Sequence, residues 1–250
     1  MSKDGTDKAA STENRFVSAG FAAVVVIALI VFAASLMVFY TQVFDLRDAR
    51  REHSFLLRLS GSARAAAGFA DDEARSLSDF DIEMRRINPH YIAWLTVGGT
   101  AIDYPVVRGS DNIRYLDTSF FGEHNTFGTL FMDYRNKGDF VPHIIIYGHH
   151  TRHGNKFSDL HLFLDESFKQ ENNTITLLVN DRVVEYEIFA ARLTDIHDYA
   201  YFLHFSFQGA FEAFVYRNNA PPGAQQIITL STCVTRGDDD ERVIVQGVLR

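Results

Sequence analysis

The sequence predicts a mainly β domain with helices, either a barrel or a sandwich, which follows an apolar N-terminal segment. Three observations support this prediction. From about residue 91 the chain consists of short apolar runs separated by turn residues, which is typical of all-β architectures. Residues 16–44 carry no charged side chain, and residues 45–88 mix charge with periodic apolar positions. Such periodicity favours amphipathic helices.

The uncharged segment 16–44 covers 29 positions, and about 20 suffice for a helix to cross a bilayer. A cleavable signal peptide has a shorter apolar region. The segment is therefore predicted to be an uncleaved transmembrane anchor, with a buried core helix as the alternative. The polar residues 1–15 are expected to form a disordered tail.

Basic residues near the two ends of the anchor do not favour an N terminus inside the cell. The side of the N terminus offers three basic residues and the other side four: Lys3, Lys8 and Arg15 against Arg47, Arg50, Arg51 and Arg58. Because long domains translocate largely regardless of flanking charge, this difference does not decide the orientation.

Residues 45–89 are predicted to form one or two juxtamembrane helices that stop at Pro89, because proline cannot continue a helix. The apolar positions of the second part are expected to share one helical face: Leu77, Phe80, Ile82, Met84 and Ile87.

Residues 90–250 are predicted to form the folded domain. Apolar runs bounded by turn residues predict strands at 92–97, 144–147, 174–179, 183–193, 227–233 and 242–249. In 183–193, Glu185 and Glu187 alternate with apolar residues, which indicates a half-buried strand. One later segment, 205–219, is predicted to be helical instead, with one face formed by Phe207, Phe211, Phe214 and Val215.

The chain has a formal net charge of −8 and a single cysteine, Cys233, in the run TLSTCV. The acidic balance argues against a nucleic-acid partner. An unpaired cysteine outside the cell is either buried as a small hydrophobe or used chemically. Cys233 ends a predicted strand, and Arg242 opens the next one. If the two strands pair as a hairpin, the guanidinium lies near the thiol, where it favours the thiolate or binds an oxyanion.

A general acid–base is needed beside such a nucleophile, and ten histidines compete for this role. His149 is the best candidate because it follows the apolar run IIIYG at a strand end. Surface or packing roles are expected for the histidines in helical or loop contexts: His53, His90, His124, His161, His197 and His204. A zinc site at His149, His150 and His153 is an alternative, although two glycines bracket this loop and no HExxH pattern is present.

Together these residues resemble the sortases, cysteine transpeptidases of the Gram-positive cell surface. The TLxTC mark of that family is met by Thr229 to Cys233, its Gly-His by Gly148 and His149, and its strand-opening arginine by Arg242. The resemblance extends to class B through three further segments: 94–116, 128–136 and 147–160.

The resemblance implies a closed eight-stranded β-barrel with N-terminal helices and one late inserted helix. It implies that Cys233 attacks the carbonyl after a Thr in a C-terminal sorting signal, which makes this a thiol peptidase by class. His149 would be the general acid–base and Arg242 the oxyanion or positioning group. The substrate contacts carried over are Asn112 and Leu116, with Ser231 and Thr232 beside the nucleophile. No metal or organic cofactor is implied.

The resemblance also implies partners and a location. The partners are surface proteins with a C-terminal sorting signal and an amine from a peptidoglycan precursor or a pilin. The protein is expected in the cell membrane, single-pass, with a cytoplasmic tail and an extracellular catalytic domain.

The sequence departs from class B at Val234 and Thr235, where an acidic residue is common, and at Arg108, where glutamine is common. Arg108 therefore predicts a different signal preference. Two alternative functions stay open at this point: a non-catalytic binding or scaffold domain on the same barrel, and a hydrolytic cysteine peptidase.

Overall fold

The computed structural model describes residues 4–67, 73–137, 141–151, 156–180, 182–206, 209–233 and 241–250. Four α-helices are present in this part of the chain: α1 Asp4–Ala67, α2 Glu73–Ile87, α3 Glu166–Glu171 and α4 Ala210–Arg217. Eight strands accompany them: β1 Tyr91–Val97, β2 Asp103–Val107, β3 Leu130–Met132, β4 His143–Gly148, β5 Thr174–Val179, β6 Arg182–Asp195, β7 Ile227–Cys233 and β8 Glu241–Leu249.

The chain divides into two compact units, 1–48 and 49–250. In the first unit α1 contains the predicted anchor, and its side chains from Ala23 to Thr41 are exposed. By length and composition, Ala23–Gly61 is the one segment among the described residues that could cross a membrane. Residues 4–15 belong to α1. They contain no proline to interrupt the helix.

In the second unit the strands form a closed barrel in the order β1-β2-β3-β4-β7-β8-β6-β5. This confirms the predicted eight-stranded barrel. The pairs β2–β3 and β4–β7 are parallel, and the other neighbours are antiparallel. Apolar side chains from the strands fill the interior together with Phe157, Leu160 and Phe163. Burial is the main contribution that holds such a core together.

The predicted alternation in β6 is present. Tyr186 and Ile188 are buried while Glu185 and Glu187 are exposed. This is the pattern of a strand with one face on the core and one in water.

A second apolar cluster lies where α2 and residues of α1 from Leu56 onward pack on the barrel around Trp94 and Tyr91. On α2, Phe80 and Met84 are buried and Ile87 is half-buried, as predicted, but Ile82 is 47% exposed. Two residues along a helix turn the side chain by about 200°, so Ile82 faces away from Phe80. The Leu77 side chain lies outside the described residues.

The predicted late helix is α4, shorter than the predicted segment 205–219 because Gly209 precedes it with φ 85°. Phe214 and Val215 are buried and Phe211 is half-buried in a third apolar cluster with Tyr199, Phe202 and Phe205. Phe207, also placed on this face by the sequence, lies outside the described residues.

Candidate active site

The predicted nucleophile and the predicted cation occupy neighbouring strands at one edge of the barrel. In the antiparallel pair of β7 and β8, the Cα of Cys233 lies opposite that of Arg242. This is the hairpin that the sequence predicts. The Arg242 guanidinium donates a hydrogen bond to the Glu241 carbonyl oxygen at 2.8 Å. The Cys233 side chain and residues 234–240, with Val234 and Thr235 among them, lie outside the described part.

The predicted acid–base lies on the other side of β7. Strand β4 runs parallel to β7, and the last pair in their register is Gly148 with Thr232. The next residues in each strand direction are His149 and Cys233. Since parallel neighbours end at the same edge of a sheet, β4, β7 and β8 bring His149, Cys233 and Arg242 to one edge of the barrel.

His149 has a defined hydrogen-bond partner. Its Nε2 lies 2.7 Å from the carbonyl oxygen of Leu116. A carbonyl oxygen only accepts, so Nε2 carries a hydrogen in this arrangement. Leu116 ends the 3-10 helix Arg114–Leu116, which therefore meets the histidine through its backbone.

A cavity of about 600 Å³ opens at this edge. Six of the seven predicted site residues line it: Asn112, Leu116, His149, Ser231, Thr232 and Arg242. Only the Cys233 side chain, which is not described, is absent from this set. Segments distant in sequence thus converge on one concave surface, as in small-ligand and peptide sites.

Residues 95–250 match the sortase domain family, and this match covers more than half of the chain. The chain belongs to the sortase family.

The relatives place this sortase in class B. Sortase B of Listeria monocytogenes serovar 1/2a is 34% identical over 178 residues, which is 67% of this chain and 72% of the relative. A mutant form of Clostridium perfringens sortase B has a TM-score of 0.68 at 25% identity, over 76% of this chain and 96% of that one. A Staphylococcus aureus sortase B–substrate complex has a TM-score of 0.64 at 25% identity, over 69% and 85%. Class B sortases are cysteine transpeptidases of cell-wall sorting.

One wall of the cavity in this sortase is built around a buried carboxylate, Asp133, which is 0% exposed. Arg135 donates to it through Nε at 2.9 Å and Nη2 at 2.8 Å. The Tyr147 hydroxyl donates at 3.1 Å and the Asn112 amide at 3.0 Å. Burial raises the Asp133 pKa, but the hydrogen bonds and charge of Arg135 outweigh it and hold the pKa below its usual value.

This network fixes Asn112, one of the predicted substrate contacts. Its amide nitrogen binds Asp133, and its oxygen accepts from the backbone N–H of Tyr134 at 3.0 Å. The same carboxylate and burial raise the pKa of Tyr147, burial being the larger cause. Asn112 and Tyr147 therefore form a fixed wall rather than flexible arms.

Ser231 and Thr232 line the cavity with side chains that are almost wholly buried, 1% and 2% exposed. The Ser231 hydroxyl lies 2.8 Å from the Tyr201 hydroxyl, which also lines the cavity. Ser231 thus connects β7 to the segment that follows β6. Because its hydroxyl already bonds to Tyr201, it has fewer hydrogen bonds left to offer a substrate.

Several lining residues were missed by the sequence analysis: Phe131, Arg135, Tyr147, Ile196, His197, Asp198, Tyr199, Tyr201 and Phe202. His197 is exposed, as expected of a surface histidine, and it also borders the cavity. The sequence around His197 gives little indication of this position, because only the fold brings the segment after β6 beside β7. Tyr147, one residue before Gly148, could have been inferred from its position at the same strand end.

Arg108 does not belong to the described cavity lining. Its guanidinium donates to the carbonyl oxygen of Asn136, so its role is to tie two loops together. The expectation that Arg108 alters the signal preference therefore has no contact to support it.

The zinc alternative at His149, His150 and His153 finds no support in the described residues. No three His, Cys, Asp or Glu side chains lie together there as a metal site, and His153 is outside that part. His150 instead approaches His161, with ring centroids 6.1 Å apart.

Proposed function

We propose that this sortase cleaves a C-terminal sorting signal after a Thr, keeps the protein as a thioester on Cys233 and transfers it to an amine. The observation that supports this most is the strand register. Neighbouring strands β4, β7 and β8 carry His149, Cys233 and Arg242 at one edge, beside a cavity large enough for a peptide segment.

In the first step the thiolate sulfur of Cys233 bonds to the Thr carbonyl carbon, and the carbonyl electrons move onto oxygen. Arg242 holds this oxyanion by hydrogen bonding or positions the peptide. The C–N bond then breaks, and protonated His149 gives its proton to the departing amine. The products are a thioester and the free tail of the signal.

In the second step an incoming amine attacks the thioester carbon. Neutral His149 takes a proton from this amine, the C–S bond breaks, and the thiolate is restored. The atoms and charges balance without an added oxidant or cofactor. Water in place of the amine would give hydrolysis, the competing outcome of the same intermediate.

The proposed substrate contacts follow the cavity wall. Asn112 and Leu116 face the early residues of the signal, and Ser231 and Thr232 lie next to the scissile bond. The proposed partners are surface proteins that carry such a signal, and the amine comes from a peptidoglycan precursor or a pilin. A relative, sortase B of Staphylococcus aureus, has a solved structure as a sortase B–substrate complex.

The test uses the full chain in detergent micelles with a set of fluorogenic peptides. Each peptide has Thr before the scissile bond, and the preceding positions are varied. Triglycine and hydroxylamine serve as amine acceptors, and mass spectrometry identifies the products. We expect a thioester adduct of one acyl peptide per chain and a ligated product, and no turnover for Cys233→Ala. Cleavage without ligation at a saturating amine concentration would show that the protein is a hydrolase. If none of the peptides acylates the wild-type chain, the proposal is contradicted.

We also propose that α1 anchors the protein in the cell membrane once, with the catalytic unit outside the cell. The support is the exposed apolar run from Ala23 to Thr41 and the length of the candidate span. A helix with such a surface is more stable in lipid than in water.

A further inference from the structure

The backbone carbonyl that contacts His149 lies against a glycine of another loop. The Leu116 carbonyl oxygen that receives the hydrogen bond from His149 Nε2 also faces Gly128. A Cβ added at Gly128 would lie 2.5 Å from this oxygen and 2.4 Å from the Tyr115 carbonyl oxygen. Real Cβ atoms do not approach backbone oxygens so closely, so a side chain at this position pushes the Tyr115 and Leu116 carbonyls away from residue 128.

The loop around Gly128 is otherwise fixed by backbone hydrogen bonds. The Gly128 N–H donates to Asn125 at 2.9 Å, and the Thr129 N–H donates to the Tyr115 carbonyl at 3.0 Å. The Gly128 backbone has φ 54°, in the left-handed region, where glycine has no Cβ penalty. The loop therefore cannot easily move away, and the strain of a side chain falls on the 3-10 helix that ends at Leu116.

We propose that Gly128 and the Leu116 carbonyl are positioning elements that hold His149 with Nε2 protonated, so that Nδ1 is the nitrogen that gains and loses the proton. This inference rests on the proposed function for its catalytic consequence, but the tautomer is a property of the resting protein. Without the carbonyl acceptor, the two neutral tautomers compete. The ring is then free to turn, and the reactive nitrogen is no longer directed at the reacting bond.

The first test reads the tautomer directly in the wild-type full chain in micelles. Nitrogen-15 NMR of histidine-labelled protein distinguishes protonated from unprotonated ring nitrogens, and the His149 signals are assigned by their loss in His149→Gln. We expect the neutral ring of His149 with the hydrogen on Nε2. A neutral ring with the hydrogen on Nδ1 would overturn the inference, whether or not the protein is a transpeptidase.

The second test compares Gly128→Ala with a matched control, Gly122→Ala. Gly122 also has a left-handed backbone, φ 86°, but a Cβ there would meet nothing within 4 Å. Both variants place alanine at a positive φ, and φ 86° at Gly122 lies further outside the left-handed region of L-residues than φ 54° at Gly128. Only Gly128→Ala presses on the Leu116 carbonyl.

We expect Gly128→Ala to lower kcat for amine transfer at least tenfold with KM within a factor of two, and to mix the His149 tautomers. Gly122→Ala should keep kcat within a factor of two and the wild-type spectrum. Equal kcat and equal spectra for the two variants would refute the inference. If Gly128→Ala does not fold, the wild-type spectrum decides. An inactive wild type with Nε2 protonated would count against the proposed function and leave the positioning intact.

Discussion

At the scale of single residues, buried polar side chains hold the walls of the cavity. His143 of β4 is 1% exposed and connects the barrel to the segment between β6 and β7. Its Nδ1 lies 2.9 Å from the Phe202 carbonyl oxygen and its Nε2 lies 2.8 Å from the Thr229 hydroxyl. Nδ1 must donate to the carbonyl, so Nε2 of the neutral ring accepts from the hydroxyl. Burial lowers the pKa of His143 to about 4, and the nearby charges of Asp133 and Arg135 act in opposite directions.

Because the pKa of His143 is lowered in the folded protein, we predict that folding stability decreases in acid. Above about pH 6.5 the ring is neutral in the folded and the unfolded chain. Between about 6.5 and 4 the unfolded chain binds the proton preferentially, so stability falls as pH falls, by about 3 kcal/mol at pH 4 from this group alone. Thermal unfolding from pH 7.5 to 4 should show a smaller loss in His143→Gln than in wild type.

The control for this prediction is His124→Gln, since the His124 side chain is 71% exposed. It should show the wild-type pH dependence. Parallel curves for wild type and His143→Gln would contradict the role of His143.

A second prediction at this scale concerns the Asp133 network. In Asp133→Ala the guanidinium of Arg135 and the donors of Asn112 and Tyr147 lose their common acceptor. Removing one partner of a buried charged network costs about 3–5 kcal/mol. Tyr147→Phe removes a single hydrogen bond and should cost about 1 kcal/mol. Denaturant unfolding measures both, and equal costs for the two variants would show that Asp133 is not the centre of the network.

At the scale of elements, Glu52 of α1 and Lys156 of the loop that follows His149 carry opposite charges that attract each other; Lys156 is buried and Glu52 is half-buried. Lys156 is 8% exposed and its ammonium lies 5.0 Å from the centre of the Tyr104 ring. Glu52 of α1 accepts from the Phe120 N–H at 2.9 Å. Burial raises the pKa of Glu52 and lowers that of Lys156, and their attraction opposes both shifts.

We predict that Glu52→Gln destabilises the folded unit 49–250 by about 1–3 kcal/mol, because the buried Lys156 ammonium loses the attraction of the Glu52 carboxylate. Lys156→Met should cost less, because Glu52 is only half-buried and its carboxylate stays partly in water when the ammonium is removed. The double variant should be more stable than the sum of the two losses implies, which a double-mutant cycle by thermal unfolding measures.

The matched control is the surface pair of Lys169 and Glu166, 2.7 Å apart with Glu166 66% exposed. Glu166→Gln should cost less than about 1 kcal/mol. Additive losses at Glu52 and Lys156 would show that the two charges do not interact.

The elements also show how far the sequence predicts this fold. Six of the eight strands are predicted by apolar runs between turn residues. The hairpin of β7 and β8 is predicted because the two strands are consecutive along the chain. Strands β2 and β3 were missed because Pro105 interrupts the first and the second has three residues. The parallel pairing of β4 with β7 brings His149 beside Cys233, yet it joins segments about 80 residues apart, and no local pattern encodes it.

The sequence predicts the candidate site only as far as local patterns reach. His149, Cys233 and Arg242 stand at strand ends, and strand ends are readable in one sequence. The positions of Asp133 and Tyr201 in the site are not readable in this way, because their hydrogen-bond partners belong to other elements. Arg108 is the opposite case. It stands where glutamine is common in class B, which suggested a role in signal preference, but its guanidinium binds a loop carbonyl and does not line the described cavity.

At the scale of the whole molecule, the single cysteine allows a direct test of topology. In a Cys233→Ala background, Tyr216→Cys provides a site that is 83% exposed in the catalytic unit, and Ser2→Cys marks the N terminus. We expect a membrane-impermeant maleimide to label Tyr216→Cys in intact cells and Ser2→Cys only after permeabilisation. The reverse pattern would place the catalytic unit inside the cell, as the count of basic residues alone suggests.

The closed barrel has one more consequence. Every described strand has a hydrogen-bonded neighbour on both sides, so a guest polypeptide finds no vacant edge to extend the sheet in the way that PDZ domains capture their ligands. Discrimination among target proteins must then come from side chains and loops around the opening. Such a division of labour lets loops diverge to read new sequences while the strands that hold the reacting groups stay unchanged.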